Sequence, residues 1–123
     1  MSDLSSPFDF EKPAAYCRTA KRAFHQAARR QLICLADALD LPPGAYSIRR
    51  HRGRRGRSGQ LILHAGLIYV QVSQPKSGHH SGVMFRSCRG RNGFDGSRQN
   101  FAPLDLLNQP DALVRRIREY CRV

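Results

Sequence analysis

The chain has 123 residues, of which 41% are hydrophobic, and this suits one globular domain that needs no metal or disulfide staples. It carries 21 basic against 9 acidic residues, a net charge of +12, and 18 of the basic residues are arginines. This excess predicts phosphate-rich or otherwise acidic partners. Long apolar runs, a signal peptide and C-x-x-C cysteine spacing do not occur, so we expect a soluble cytoplasmic protein with free thiols and no membrane contact.

The N-terminal part is predicted to be an arm followed by a helix. Residues 1–12 are polar and mildly acidic, which predicts a partly mobile arm, with Phe8 and Phe10 as anchors, before a single domain over 13–123. A helix is expected from Pro13 to about Leu39. At 100° per residue its apolar arc is Tyr16, Cys17, Ala20, Ala23, Phe24, Ala27, Cys34, Leu35 and Leu39. The opposite arc is a basic stripe of Arg18, Arg22, His25 and Arg29.

Alternating and apolar runs predict four antiparallel strands after this helix. They are Tyr46 to Arg50, about 60–64, about 67–73, and Val83 to Cys88, with Ala65-Gly66 as a hairpin turn. A final helix is expected near Asn108, capped by Asn108 and Asp111, with the apolar arc Leu113, Val114, Ile117, Tyr120 and Cys121. The predicted fold class is therefore α+β, a two-layer αββββα domain with a four-stranded antiparallel sheet.

The strongest functional signal is an arginine-rich segment at residues 49–57. It contains six arginines in nine residues: Arg49, Arg50, Arg52, Arg54, Arg55 and Arg57. Guanidinium groups at this density repel one another, so we expect the segment to become ordered against a polyanion such as nucleic acid. The alternative is an exposed hairpin loop without a ligand.

A second arginine-rich segment covers residues 88–101. Its three glycines would let backbone amides approach an anion that Arg89, Arg91 and Arg98 neutralise. Phe94 and Phe101 could stack on bases, or they could instead fill the core. These arginines, together with residues 49–57 and with Arg18, Arg22 and Arg29 of the helix, form the predicted nucleic-acid-binding surface.

An enzymatic alternative depends on Cys88. With His79 or His80 and Asp95 it has the residue types of a thiol triad, but the spacing matches no catalytic motif. The same histidines with Cys88 lack a fourth zinc ligand at a usual interval. We therefore predict a non-enzymatic protein without a cofactor or metal.

Three runs, Ile68 to Ser73, Phe85 to Arg91 and Asn100 to Ala102, resemble small uncharacterised proteins encoded on bacterial plasmids and integrative elements. The resemblance covers about the C-terminal two thirds, and it implies a genetic context without an activity. Mobile elements encode many small inhibitors of host defence, including anti-CRISPR proteins. The predicted function is nucleic-acid binding, and the alternative is an inhibitor or accessory protein that docks on an acidic protein or nucleoprotein.

Overall fold

The computed structural model describes residues 8–14, 16–51, 58–74, 82–88 and 99–121. They form an α+β arrangement with two α-helices, one 3-10 helix and one antiparallel sheet, and the helices pack on one side of the sheet. The elements in chain order are α1 (Arg18–Ala38), β1 (Tyr46–His51), β2 (Gln60–Ala65), β3 (Ile68–Ser73), β4 (Val83–Ser87), β5 (Asn100–Ala102), the 3-10 helix η1 (Leu104–Asn108) and α2 (Pro110–Cys121).

The sheet has five strands in the order β1-β2-β3-β4-β5, so each strand pairs with its neighbour in the chain. The prediction of four strands was wrong by one strand. β5 has only three residues, of which Asn100 pairs with Phe85 and Ala102 pairs with Val83. Three residues are too few to show an alternating pattern in the sequence.

The predicted central hairpin is confirmed, with its turn one residue later than expected. β2 extends through Ala65 and β3 begins at Ile68, so Gly66 and Leu67 form the turn. The side chains of β3 alternate between buried and half-buried, and Ile68, Val70 and Val72 are the buried ones. The helices therefore cover one face of the central strand.

α1 begins at Arg18, five residues later than predicted, and its buried arc matches the predicted one only in part. Its buried residues are Phe24, His25, Ala28, Leu32, Leu35 and Ala36. Cys17 and Cys34 are exposed, and Tyr16 is 88% exposed, so their predicted burial was wrong. Phe24, Leu35 and Leu39 of the predicted arc are buried, but the arc omitted Leu32, a large side chain whose burial removes much apolar area from water.

The α1 helix ends in a Schellman motif. The N–H of Leu41 donates to the Ala36 carbonyl at 2.9 Å and that of Asp40 to the Asp37 carbonyl at 3.0 Å. Asp40 has a φ of 62°, a left-handed conformation that glycine usually occupies in this motif. The helix end is therefore satisfied by backbone hydrogen bonds.

The start of α2 also differs from the prediction. Asn108 ends η1, and Pro110 is the first residue of α2, where a missing N–H costs little. The Asn108 side chain bridges other elements instead of capping: its Nδ2 donates to the Phe8 carbonyl at 2.8 Å, and its Oδ1 accepts from Gln31 Nε2 at 3.2 Å. Of the predicted arc, Leu113, Val114 and Ile117 are buried, whereas Tyr120 is exposed.

The segment that precedes α1 is packed onto the domain. Phe10 is only 1% exposed and contacts Phe24 edge-on, with ring centroids 6.1 Å apart, so its predicted anchoring is confirmed. Gln74, at the end of β3, donates through Nε2 to the carbonyls of Phe10 and Lys12 at 3.0 and 2.6 Å. The rest of the predicted arm, residues 1–7, lies outside the described residues. Among the helices that are described, none has the length and apolar character needed to span a bilayer.

Candidate nucleic-acid interface

One face of the sheet is not covered by the helices, and we call it the open sheet face. Alternation along each strand and the pairing register place twelve side chains on it, all exposed or half-buried. These are Ser47, Arg49, His51, Gln60, Ile62, His64, Tyr69, Gln71, Ser73, Met84, Arg86 and Phe101. One row crosses the whole sheet, in the order Arg49, Ile62, Gln71, Met84 and Phe101.

The charge on the open sheet face is of one sign. The five described strands contain no aspartate or glutamate, whereas Arg49, Arg86, His51 and His64 are all on this face. Arg49 is exposed on the edge strand β1, and Arg86 is directly opposite Tyr69 in the β3–β4 pairing. A basic surface without interleaved carboxylates attracts polyanions.

Tyr69 lies near the middle of the open sheet face and is held by its neighbours. Its hydroxyl donates to Gln71 Oε1 at 3.0 Å, and its ring meets that of His64 edge-on, with centroids 6.2 Å apart. Burial raises the pKa of the Tyr69 phenol, and the positive charge of Arg86 partly opposes this rise. The phenol therefore stays protonated and remains a hydrogen-bond donor at neutral pH.

Phe101 presents a second aromatic ring at the far edge of the same face. It lies on β5, pairs with Met84 and is 51% exposed. Of the two roles that the sequence left open for Phe101, filling the core is therefore excluded. Phe94, the other aromatic residue of that segment, lies outside the described residues.

The two arginine-rich segments attach at opposite ends of the sheet. The first segment leaves the sheet after His51, the last residue of β1, and β2 begins at Gln60, which pairs with Ser73 at one end of β3. The second follows Ser87, which pairs with Ile68 at the other end of β3. A strand rise of about 3.3 Å per residue separates the two ends by roughly 17 Å. The predicted residues Arg52, Arg54, Arg55, Arg57, Arg89, Arg91 and Arg98 themselves lie outside the described part of the chain.

The remaining predicted arginines lie on the helix-bearing side. Arg18, Arg22 and Arg29 are exposed on α1 and fall within about 40° of one another around the helix axis. Arg50 is exposed on β1 and pairs with buried Leu61, so it faces the helix side, unlike Arg49. Among the predicted arginines that are described, Arg49 lies on the open sheet face and the other four lie on the helix-bearing side, so the structure does not gather them on one face.

His25 was predicted to extend the α1 stripe but is buried, with 4% of its surface exposed. Its Nε2 donates to the backbone carbonyl of Ser58 at 2.7 Å. Ser58 immediately follows the first arginine-rich segment. The hydrogen bond therefore places the middle of the α1 stripe beside the point where that segment rejoins the sheet.

For the enzymatic alternative, the histidine that the structure places beside Cys88 is His64. Cys88 Sγ lies 3.6 Å from His64 Nε2 and also contacts the carbonyls of Ala65 and Gly66, at 3.7 and 3.8 Å. The thiol is only 2% exposed, so an outside substrate does not reach it. His79, His80 and Asp95 lie outside the described residues. Within the described ranges, no three histidine, cysteine or acidic side chains are grouped so that they could hold a metal ion.

Sequence reasoning did not assign a functional role to His64, Tyr69 or Arg86. The available signal was the alternation in Ile62-Leu63-His64 and Tyr69-Val70-Gln71, which places polar side chains opposite an apolar set. Comparison of the chain with protein-family models, curated proteins and solved structures finds no significant match in any of the three. Function is therefore argued from the chemistry of these surfaces.

Proposed function

We propose that this protein binds nucleic acid without catalysing a reaction on it, through arginines on both sides of the edge strand β1 and in the two adjoining arginine-rich segments. The observation that supports this most is that the charge on the described strands is of one sign: they carry arginine and histidine and no carboxylate. Phosphate groups would supply the missing negative charge through bidentate contacts with guanidinium groups.

The exposed arginines are also available to an external anion. Within the described part of the chain, Arg18, Arg22, Arg29, Arg49 and Arg50 make no ion pair with a carboxylate. Arg118, by contrast, has its Nη2 atom 3.3 Å from Asp40 Oδ2. This difference provides a matched comparison between arginines that have an internal partner and arginines that do not.

The test is the salt dependence of binding to a fluorescent oligonucleotide, measured by anisotropy. Each phosphate contact adds about 0.7 to 0.9 to the slope of log affinity against log salt, so four contacts would cost roughly 50- to 150-fold in affinity between 50 and 200 mM salt. We expect Arg22→Gln and Arg49→Gln each to reduce the slope by about 0.7 to 0.9. Arg118→Gln is the control and should leave the slope unchanged.

Two results would contradict the proposal. One is binding that is absent at low salt, or that is equally tight at low and high salt. The other is a partner that stays bound after nuclease digestion of the purified complex, which would identify an acidic protein as the ligand.

A further inference from the structure

We infer that the ligand is a single strand, and that its unpaired bases stack on Tyr69 and Phe101 across the open sheet face. This inference rests on the proposed nucleic-acid binding and specifies the form of the ligand. It is carried by the composition of the face, whose described strands combine aromatic rings with arginines and contain no carboxylate.

The two rings lie where one strand of nucleic acid can reach both. Tyr69 is on the central strand β3, and Phe101 is on the edge strand β5, two strands away and in the next row of side chains. Strand spacing of about 4.8 Å and a rise of about 3.3 Å per residue put their Cα atoms roughly 12 Å apart. The half-buried Met84, which pairs with Phe101, gives the surface between the rings an apolar floor.

Arginines flank these rings on the same face. Arg86 is the direct cross-strand partner of Tyr69, and Arg49 lies at the opposite edge of the sheet from Phe101. A strand that stacks its bases on the rings would thus have guanidinium groups beside its phosphates. The combination of aromatic stacking and a basic surface is typical of proteins that bind single strands.

A duplex does not fit this surface equally well. Its bases are stacked on one another and offer only their edges in the grooves, so aromatic side chains on a sheet reach no base face. The tethered orientation of Tyr69, with its hydroxyl bonded to Gln71, reduces the entropy lost when a base stacks on it. The face therefore favours unpaired bases.

The first experiment uses a tryptophan reporter, because the chain has no tryptophan of its own. Phe101→Trp places an indole on the open sheet face, and Tyr120→Trp places one at an exposed site on α2, two residues from the control residue Arg118. Titration with a short oligothymidylate should quench the emission of Phe101→Trp to saturation and leave that of Tyr120→Trp nearly unchanged. The same length of duplex should quench neither.

The second experiment measures affinity for oligothymidylate. Phe101→Ala and Phe101→Leu should each weaken binding by roughly 5- to 150-fold, the equivalent of about 1–3 kcal/mol for one base–aromatic stack, with the salt slope unchanged. Tyr120→Ala, which also removes a half-exposed ring, is the matched control and should bind like the wild type. Since Phe101 is half exposed, its replacement leaves the core intact.

The outcomes distinguish a failure of base stacking from a failure of nucleic-acid binding. Steeply salt-dependent binding that Phe101→Ala does not weaken, full affinity in Phe101→Leu, or equal quenching by a duplex would each overturn base stacking while leaving nucleic-acid binding in place. Wild-type protein that binds neither form at low salt would overturn both.

Discussion

The four cysteines occupy three kinds of environment. Cys17 and Cys34 are exposed, Cys88 is buried, and Cys121 lies between these extremes at the end of α2. Burial raises the pKa of the Cys121 thiol, and the nearby Cys88 raises it further. Because the thiolate is the reactive form, burial and a raised pKa both slow reaction with electrophiles.

We expect native protein at mildly alkaline pH to show two fast and two slow thiols towards iodoacetamide. Cys17 and Cys34 should be alkylated first, Cys121 more slowly and Cys88 last, as read by peptide mass spectrometry. In denaturant all four should react at similar rates. Alkylation of Cys88 as fast as that of Cys17 would show that the end of β4 is open to solvent.

The raised pKa of Cys121 also makes the stability of the fold depend on pH. The folded pKa of the Cys121 thiol lies above its unfolded value, so the folded state holds the proton more tightly. The stabilisation that results is complete at a pH below the pKa of the thiol in the unfolded chain. It declines as the pH rises through that pKa and then through the higher pKa of the folded protein. The thiol therefore favours the native state at neutral pH and ceases to do so under alkaline conditions.

At this scale the sequence predicted some environments and not others. The burial of Phe10 and Ile117 follows from their size and apolar character. The exposure of Cys34 and the burial of His25 depend on how α1 is rotated on the sheet, and His25 is accommodated by a carbonyl 33 residues away in the chain. The residues around His25 in the sequence give no indication that Ser58 is its partner.

At the scale of elements, the start of β4 is in close contact with η1. Gly82 is buried, and a Cβ built on it would lie 2.1 Å from Cγ of Leu104. Leu104 is itself buried and belongs to the core. Glycine is therefore required here by close packing.

We expect Gly82→Ala to lower the free energy of unfolding by about 1–3 kcal/mol, the usual cost of overpacking, in urea denaturation. Gly66→Ala is the control, because its Cβ would meet nothing within 4 Å and its φ is not left-handed. The Gly66→Ala variant should therefore have nearly the same free energy of unfolding as the wild type. A Gly82→Ala protein as stable as the wild type would mean that η1 moves freely relative to the sheet.

The sequence predicted the type of most elements better than their limits. The alternation of β2 and β3 is strong because one face is buried against helices, and both strands are confirmed within two residues. β5 was missed because it depends on pairing with β4 instead of on its own residues. α2 starts later than predicted because Asn108 bonds to Phe8 and Gln31 instead of capping the helix.

At the scale of the whole molecule, the net charge of +12 opposes compactness. Arg18 and Arg22 are exposed at i,i+4 on α1, a like-charge spacing that costs about 0.2–0.5 kcal/mol. Dissolved salt screens such repulsion between exposed charges.

We therefore expect added NaCl to raise the Tm in differential scanning calorimetry. About 1 kcal/mol of relieved repulsion shifts Tm by roughly 4 °C in a domain of this size. A variant with Arg18→Gln and Arg22→Gln should start from a higher Tm and gain less from salt. A Tm that falls steadily as NaCl is added would contradict this account of the charge.

Composition alone predicted an acidic partner, since +12 in 123 residues is a property of the sequence and not of the fold. It could not predict that Arg49 and Arg50 face opposite sides of β1, or that Tyr69 and Phe101 share a face. Those facts depend on the register across β3, β4 and β5. Register is set by the whole buried face, and one strand read in isolation does not reveal it.

The strand order, in which every strand pairs with the one before it, also bears on how the chain acquires its structure during synthesis. Each hairpin can close as soon as its second strand leaves the ribosome, without waiting for a distant segment. α1 is the exception, because it packs on α2, which follows all five described strands in the chain. The nascent sheet can thus assemble strand by strand, while the side of α1 that packs on α2 stays uncovered until α2 has been made.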